Sequence, residues 1–253
     1  MKKLLSFAFI IPLCLLAIVQ SGAFTNDVTI NWGLKPNEKG QTPIPPAGSA
    51  NLLEKHNGIF VGDTSKQEYY LTFDLGYEAG HTPAVLDVLK KHNIKAIFFL
   101  CGHYLTEDSL VNRMLDEGHI IGNHTNKHKD LPTLSTDNIR ADIVEFSEMY
   151  DQKYGHRGKP LKHFRPPKGR ISTRVLEITN QLNLKTIMWS SAIVDWGKTP
   201  IDAKSSADKI TKRMHPGAIV LLHIANSGMP KMLDLLIPQL QEKGYTAADA
   251  TML

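Results

Sequence analysis

Tyr70-Leu71-Thr72-Phe73-Asp74-Leu75-Gly76-Tyr77-Glu78 is the stretch from which the rest of the chain can be read. Tyr, Leu, Thr and Phe favour a buried strand, and Gly76 ends it. One carboxylate, Asp74, arrives at the C-terminal tip. Thr82-Pro83 then marks a helix start, with Val85, Leu86, Val88 and Leu89 as its apolar face. The run Ile97-Phe98-Phe99-Leu100 reads as a second strand. Strand, helix and strand in that order are a parallel β/α unit.

Working outward, strand-like runs recur at Tyr69–Asp74, Lys95–Leu100, His119–Gly122, His163–Arg165, Lys185–Trp189 and Ala218–His223. Between them, helical patterns start at Thr82 and run from Thr106 to Glu117, Ser135 to Lys153, Ser172 to Leu182, Ala203 to Met214 and Pro230 to Lys243. This alternation predicts an α/β fold, either an open sheet or a barrel. At 253 residues with 42% hydrophobic residues, one domain of barrel size fits. Residues 24–68 carry Asn31-Trp32-Gly33 and a Pro- and Gly-rich loop, and read as an irregular N-terminal arm packed on a main domain of residues 69–253. Trp32 is expected to be a packing anchor.

Lys2 and Lys3, the apolar run Leu4 to Val19 and Ser21-Gly22-Ala23 have the layout of a signal peptide over residues 1–23. The rival is a retained membrane anchor; either places the domain outside the cytoplasm. Cys14 would leave with that segment, so Cys101 would be the sole cysteine and no internal disulfide could form. Cys101 itself reads as a small packed hydrophobe. The net charge of +4 would fall to about +2 without Lys2 and Lys3, too little to argue for nucleic acid. No Gly-x-Gly-x-x-Gly or Walker pattern is present, which argues against a nucleotide cofactor.

The chemistry-bearing residues share one placement. Asp74 ends the first strand, as a general base, a metal ligand or merely a turn residue. His124 and His128 follow another strand and stand one helical turn apart, a spacing at which two imidazoles can face one ion. Arg165 is followed by Pro166-Pro167, which keep the backbone extended and fix where the guanidinium points. It could pair with Asp74 and keep it ionised, or form a surface ion pair. His223 closes the last strand, and Asp195 in the preceding loop could make it a general acid. All six fall at or just past strand C-termini, where α/β folds carry their sites. The remaining histidines lack this placement and read as structural.

Together these residues resemble the polysaccharide deacetylases, carbohydrate esterase family 4, built on the NodB homology domain. Thr72-Phe73-Asp74, His124-Thr125-Asn126-Lys127-His128, Arg165-Pro166-Pro167, Asp195-Trp196 and Leu221-Leu222-His223 match its five motifs in order. Asn31-Trp32-Gly33, Gly76-Tyr77-Glu78 and Arg165-Pro166-Pro167-Lys168-Gly169 are similar to one branch, the δ-lactam-biosynthetic de-N-acetylases of PdaA type. The resemblance implies a distorted (β/α) barrel of about seven parallel strands. It also implies a secreted, monomeric hydrolase acting on peptidoglycan glycan, on muramic acid freed of stem peptide during spore cortex formation.

Residue roles follow from the same resemblance. Asp74 would be the base, held by Arg165, and His223, oriented by Asp195, the acid. His124 and His128 would bind a divalent ion, zinc or alternatively manganese. Trp196, Tyr77 and Pro167 would touch substrate. One departure stands out: the family's second Asp, a metal ligand, is here Leu75, which has no donor atom. Weak metal binding is therefore expected. Two other functions fit the sequence: a wall-glycan binding module with a decayed metal site, and a deacetylase of N-acetylglucosamine polymers.

Overall fold

The computed structural model describes residues 27–35, 39–197 and 199–253; the expected signal segment, with Cys14, lies outside them. The arm contributes β1 (Ile30–Asn31) and a short helix, α1 (Ser49–Lys55). Next come β2 (Glu68–Leu75), α2 (Thr82–Lys91), β3 (Ile97–Leu100), α3 (Asp108–Asp116), β4 (Ile120–Asn123) and α4 (Thr136–Tyr154). They are followed by β5 (His163–Phe164), β6 (Arg170–Ile171), α5 (Thr173–Gln181), β7 (Lys185–Thr186) and β8 (Ser191–Ala192). The chain closes with α6 (Ala203–Arg213), β9 (Ala218–His223), α7 (Met229–Glu242) and β10 (Thr246–Ala247).

Seven parallel strands lie in the order β7-β5-β4-β3-β2-β9-β8 and curl into a half-barrel, with β7 and β8 as unpaired ends. The expected distorted (β/α) barrel is what forms. Because side chains alternate along a strand, β2 serves two cores. Tyr69, Leu71, Phe73 and Leu75 join the layer beneath the helices, with Phe98, Leu100, Val220 and Leu222. Tyr70 faces the barrel interior with Ile97, Phe99, Ile187 and Ile219. Thr72 and Asp74 share that inward face by parity, so the carboxylate opens into the barrel mouth. Ala248, Ala250 and Leu253, beyond β10, fill the opposite end; β10 itself pairs with the base of β2.

Arm residues cover the gap between the sheet's ends. Ile59 bridges to Ile187 just past β7, and Val61 bridges to Ala218 at the foot of β9. Near the barrel mouth, β1 pairs antiparallel with β6. The Trp32 indole N–H donates to the Trp189 carbonyl at 2.9 Å, and its ring is buried, as a packing anchor should be.

The six expected strands and the six expected helices stand close to their predicted places, although β5 and β7 are regular over only two residues each. The differences are local. β1, β6, β8 and β10 have two residues each, too few to show any periodicity. Thr82-Pro83 does open α2, but the helix is capped from outside. The Glu78 carboxylate accepts from the backbone N–H groups of Gly80 at 2.6 Å and Thr82 at 3.3 Å. No helix among the described residues is long and apolar enough to cross a membrane.

Candidate active site

Parallel register assembles the site. Asp74 stands opposite Phe99 on one side and His223 on the other, while Asn123 is paired with Phe164. The residues just past those pairs, His124 and Arg165, are thereby brought level with Asp74.

Arg165 is wholly buried, and four hydrogen bonds fix it. Nε donates to the Ile187 carbonyl at 2.9 Å and Nη2 to that of Met188 at 3.2 Å. Nη1 donates to Thr72 Oγ1 at 2.9 Å and to Asp74 Oδ1 at 2.8 Å. The guanidinium also lies over the Phe99 ring, 4.2 Å from its centroid. Burial pushes the Asp74 carboxyl up, but Arg165, then His124 and His223, outweigh it and hold the group below the usual carboxylate range. A buried carboxylate is thus kept ionised with Oδ2 left over.

His124 and His128 do not sit on a helix, as their spacing had suggested. They flank a loop in which Thr125 and His128 take positive φ of 67° and 51°. Side chains and backbone pin this loop from several sides. Thr125 N–H donates to Asn123 Oδ1 at 2.8 Å, Lys127 N–H to Asp142 Oδ1 at 2.9 Å, and His128 N–H to Thr125 Oγ1 at 3.0 Å. The rings meet edge-on with centroids 5.0 Å apart. His124 Nδ1–H donates to the Arg165 carbonyl at 2.8 Å, which sets the tautomer. Nε2 is left as a lone pair, 3.6 Å from Asp74 Oδ2. Burial brings His124 down to about 4, so it stays neutral at physiological pH.

On the other side of Asp74, Asp195 is fully buried and gives both oxygens to His223. Oδ1 lies 2.8 Å from Nδ1, and Oδ2 accepts the backbone N–H at 2.7 Å. Burial lowers the affinity of His223 for its proton, but the Asp195 bond and charge reverse this, and the pKa is raised above 6.5. Trp196, 60% exposed, stands edge-on to the His223 ring with centroids 5.5 Å apart.

A cleft of about 360 Å³ is lined by Asp74, Tyr77, His124, His128, Trp196 and His223, and Leu75 also contributes to its wall. The site residues expected from sequence therefore converge, with one exception. Pro167, expected at the substrate, is buried and does not line the cleft; it opens a tight turn, Pro167–Gly169, in which Lys168 and Gly169 take positive φ of 60° and 62°. That turn is tied to the arm by Trp32 N–H, which donates to the Gly169 carbonyl at 2.8 Å. Thr72, Asn123 and Asp142 escaped sequence reasoning as supporting residues. Their contribution is a hydrogen bond to a particular neighbour in space, for which no local pattern exists.

The donor set suits a divalent ion. His124 Nε2 faces the cleft as a lone pair, with His128 beside it. One ligand atom each from Cys101, His124 and His128 lie within 4.8 Å of one another. Imidazole nitrogens with a sulfur nearby fit a borderline-soft cation such as zinc.

Comparison with known proteins agrees with this geometry. Residues 61–187 match the family model described as Polysaccharide deacetylase. The peptidoglycan-N-acetylmuramic acid deacetylase PdaA of Bacillus subtilis is 41% identical over 230 residues, which are 90% of this chain and 86% of that protein. The solved structure of Bacillus subtilis PdaA, a family 4 carbohydrate esterase, superposes with a TM-score of 0.82 at 40% identity. It covers 88% of this chain and 95% of the other. A family 4 pseudoenzyme from Bacillus anthracis is similar at 30% identity and a TM-score of 0.71, covering 78% and 68% of the two chains.

Proposed function

Because the chain belongs to the polysaccharide deacetylase family, we propose that it hydrolyses the N-acetyl group of muramic acid in peptidoglycan. The observation that carries the reading is the placement of two groups across one cleft: a buried carboxylate clamped by Arg165, and an imidazole bound to Asp195 that holds its proton more tightly than a free histidine. Such a pair is what general base and general acid catalysis needs.

Asp74 takes a proton from the attacking water as the water oxygen bonds to the acetyl carbon. Arg165 keeps Oδ1 engaged, so Oδ2 is the oxygen that accepts it. His223 then gives its Nε2 proton to the sugar nitrogen as the C–N bond breaks, releasing acetate and a free amine. Asp195 fixes the ring so that Nε2 faces the cleft. Trp196 and Tyr77, both exposed on its walls, bracket the sugar. A divalent ion at His124 and His128 supplies Lewis acidity at the acetamide oxygen when bound.

On muramic acid stripped of peptide, the new amine can close onto the lactyl carboxyl, and the resulting δ-lactam is the product assigned here, in spore cortex. The proposed organisation is a signal peptide over residues 1–23, an arm over 24–68 and a catalytic domain over 69–253, acting as a secreted monomer. Acetate release from peptidoglycan with and without stem peptides tests the assignment. Release only from the stripped glycan, with lactam by mass spectrometry, is expected. Release from chitin oligomers alone would move the substrate to N-acetylglucosamine. Binding without release under any metal would make Leu75 the mark of a non-catalytic glycan binder.

A further inference from the structure

Leu75 borders the cleft but its side chain belongs to the core and offers the ion no donor. It is 3% exposed and packs in the cluster beneath the helices with Phe73 and Leu100. Its register partner is Leu100, and the next residue, Cys101, donates its backbone N–H to the Leu75 carbonyl at 3.0 Å. The thiol therefore stands beside the strand end where position 75 offers no donor. From the other side, Gly102 N–H donates to the carbonyls of Thr125 at 3.2 Å and Asn126 at 3.1 Å, which ties Cys101 to the histidine loop. A side chain at 102 would have no room, since a Cβ there would fall 1.8 Å from Asn126 Oδ1. The close approach that glycine permits is what brings the sulfur within 4.8 Å of both imidazoles. Among the described residues the thiol makes one hydrogen bond, a long one, from Sγ–H to the His124 carbonyl at 3.5 Å.

We propose that Cys101 is the third protein ligand of the ion held by His124 and His128, supplying the donor that Leu75 lacks. The inference rests on the reading that those histidines bind a metal. As the sulfur–metal bond forms, the thiol proton leaves to solvent and the weak bond to the His124 carbonyl is given up. Sulfur with two imidazoles makes a soft three-ligand set with one position open for water or substrate, the composition of a catalytic zinc site. It also sets the preference: zinc and cobalt(II) over manganese and magnesium, which favour oxygen donors.

Cobalt(II) titration of the full chain, followed by absorbance, tests this without reference to turnover. Both proteins compared carry Cys14, so the difference between them reports Cys101 alone. The wild type is expected to show an intense near-ultraviolet thiolate-to-cobalt band. Cys101→Ser should lose it and bind zinc more weakly, by on the order of 10- to 100-fold. It should also lose the preference for zinc over manganese. Cys101→Ala serves if the serine variant misfolds by circular dichroism. Cobalt binding with no such band, and with equal zinc affinity in both proteins, would overturn the thiolate ligand and leave the histidine site intact. No cobalt or zinc binding by the wild type, alongside acetate release, would overturn the ion site itself while the deacetylase assignment stands. No acetate release with the band present would leave the ligand assignment in place and remove the enzyme reading.

Discussion

Asp195 spends both carboxylate oxygens on His223, one on the ring nitrogen Nδ1 at 2.8 Å and one on the backbone N–H at 2.7 Å. The ring is thereby fixed in direction as well as in charge, and Nε2 has only one place to point. The raised pKa of His223 carries a sign that can be checked. The stability it contributes is fully present below the unfolded value near 6.5 and is lost as pH rises through the higher folded value.

Asp195→Asn should move the alkaline limb of the activity profile to lower pH. His223 would keep its burial, which lowers the pKa, and lose the charge that raises it. A fall in kcat of about 10²- to 10⁴-fold is expected near neutral pH. An alkaline limb in the same place as in the wild type would remove His223 as the acid.

Arg165→Met should destabilise the protein by about 3–5 kcal/mol, because it leaves the buried Asp74 charge unpaired. The carbonyls of Ile187 and Met188 would lose their donor as well. Denaturant unfolding measures the loss. In the double variant with Asp74→Asn much of it should be regained, and an additive result would show that the two residues are not coupled.

Gly102→Ala should weaken metal binding without touching a ligand. The added methyl would displace Asn126 and with it the loop between His124 and His128. Zinc titration should show lower affinity, with near-ultraviolet circular dichroism otherwise native-like; unchanged affinity would mean that the loop can yield.

Leu75→Asp should lower the melting temperature of the metal-free protein, since a carboxylate would replace an apolar side chain in the core beneath the helices. Added zinc or manganese should restore more stability than it does in the wild type, because the new oxygen donor can turn towards the ion. Equal metal-induced shifts in both proteins would show that position 75 does not reach the site.

Acid should destabilise the fold well before its carboxylates protonate. His119 and His163 are buried, and burial brings each down to about 4. His119 Nδ1 also accepts the Ala96 N–H at 3.1 Å, so protonating it removes a backbone bond. For a base with a lowered folded pKa, the unfolded chain takes up the proton first. Stability is therefore full above about 6.5 and is lost as pH falls towards 4, by on the order of 3 kcal/mol for each histidine. His119→Gln should reduce the loss between those limits in urea melts; an unchanged slope would exclude it.

Sequence alone determined the elements and the chemical inventory. The runs Tyr69–Asp74 and Ala218–His223 carry enough β-branched and aromatic residues to declare themselves as strands, and helical spacing marks the layer that covers them. Asp74, His124, Arg165 and His223 could be assigned to one end of the sheet because parallel strands put their C-termini on one side. Tertiary structure decided what those residues do to one another. The Arg165 clamp depends on two carbonyls beyond β7, and the state of His124 on a carbonyl at Arg165. Neither partnership has a residue-type signature, since every residue has a carbonyl. The inward turn of Asp74 and the outward turn of Leu75 follow from strand parity, but only closure of the barrel made one face a cleft and the other a core. The neighbourhood of Cys101 and the histidine loop was likewise invisible until register set Leu75 beside Leu100, because proximity across a sheet is a property of pairing and not of spacing along the chain.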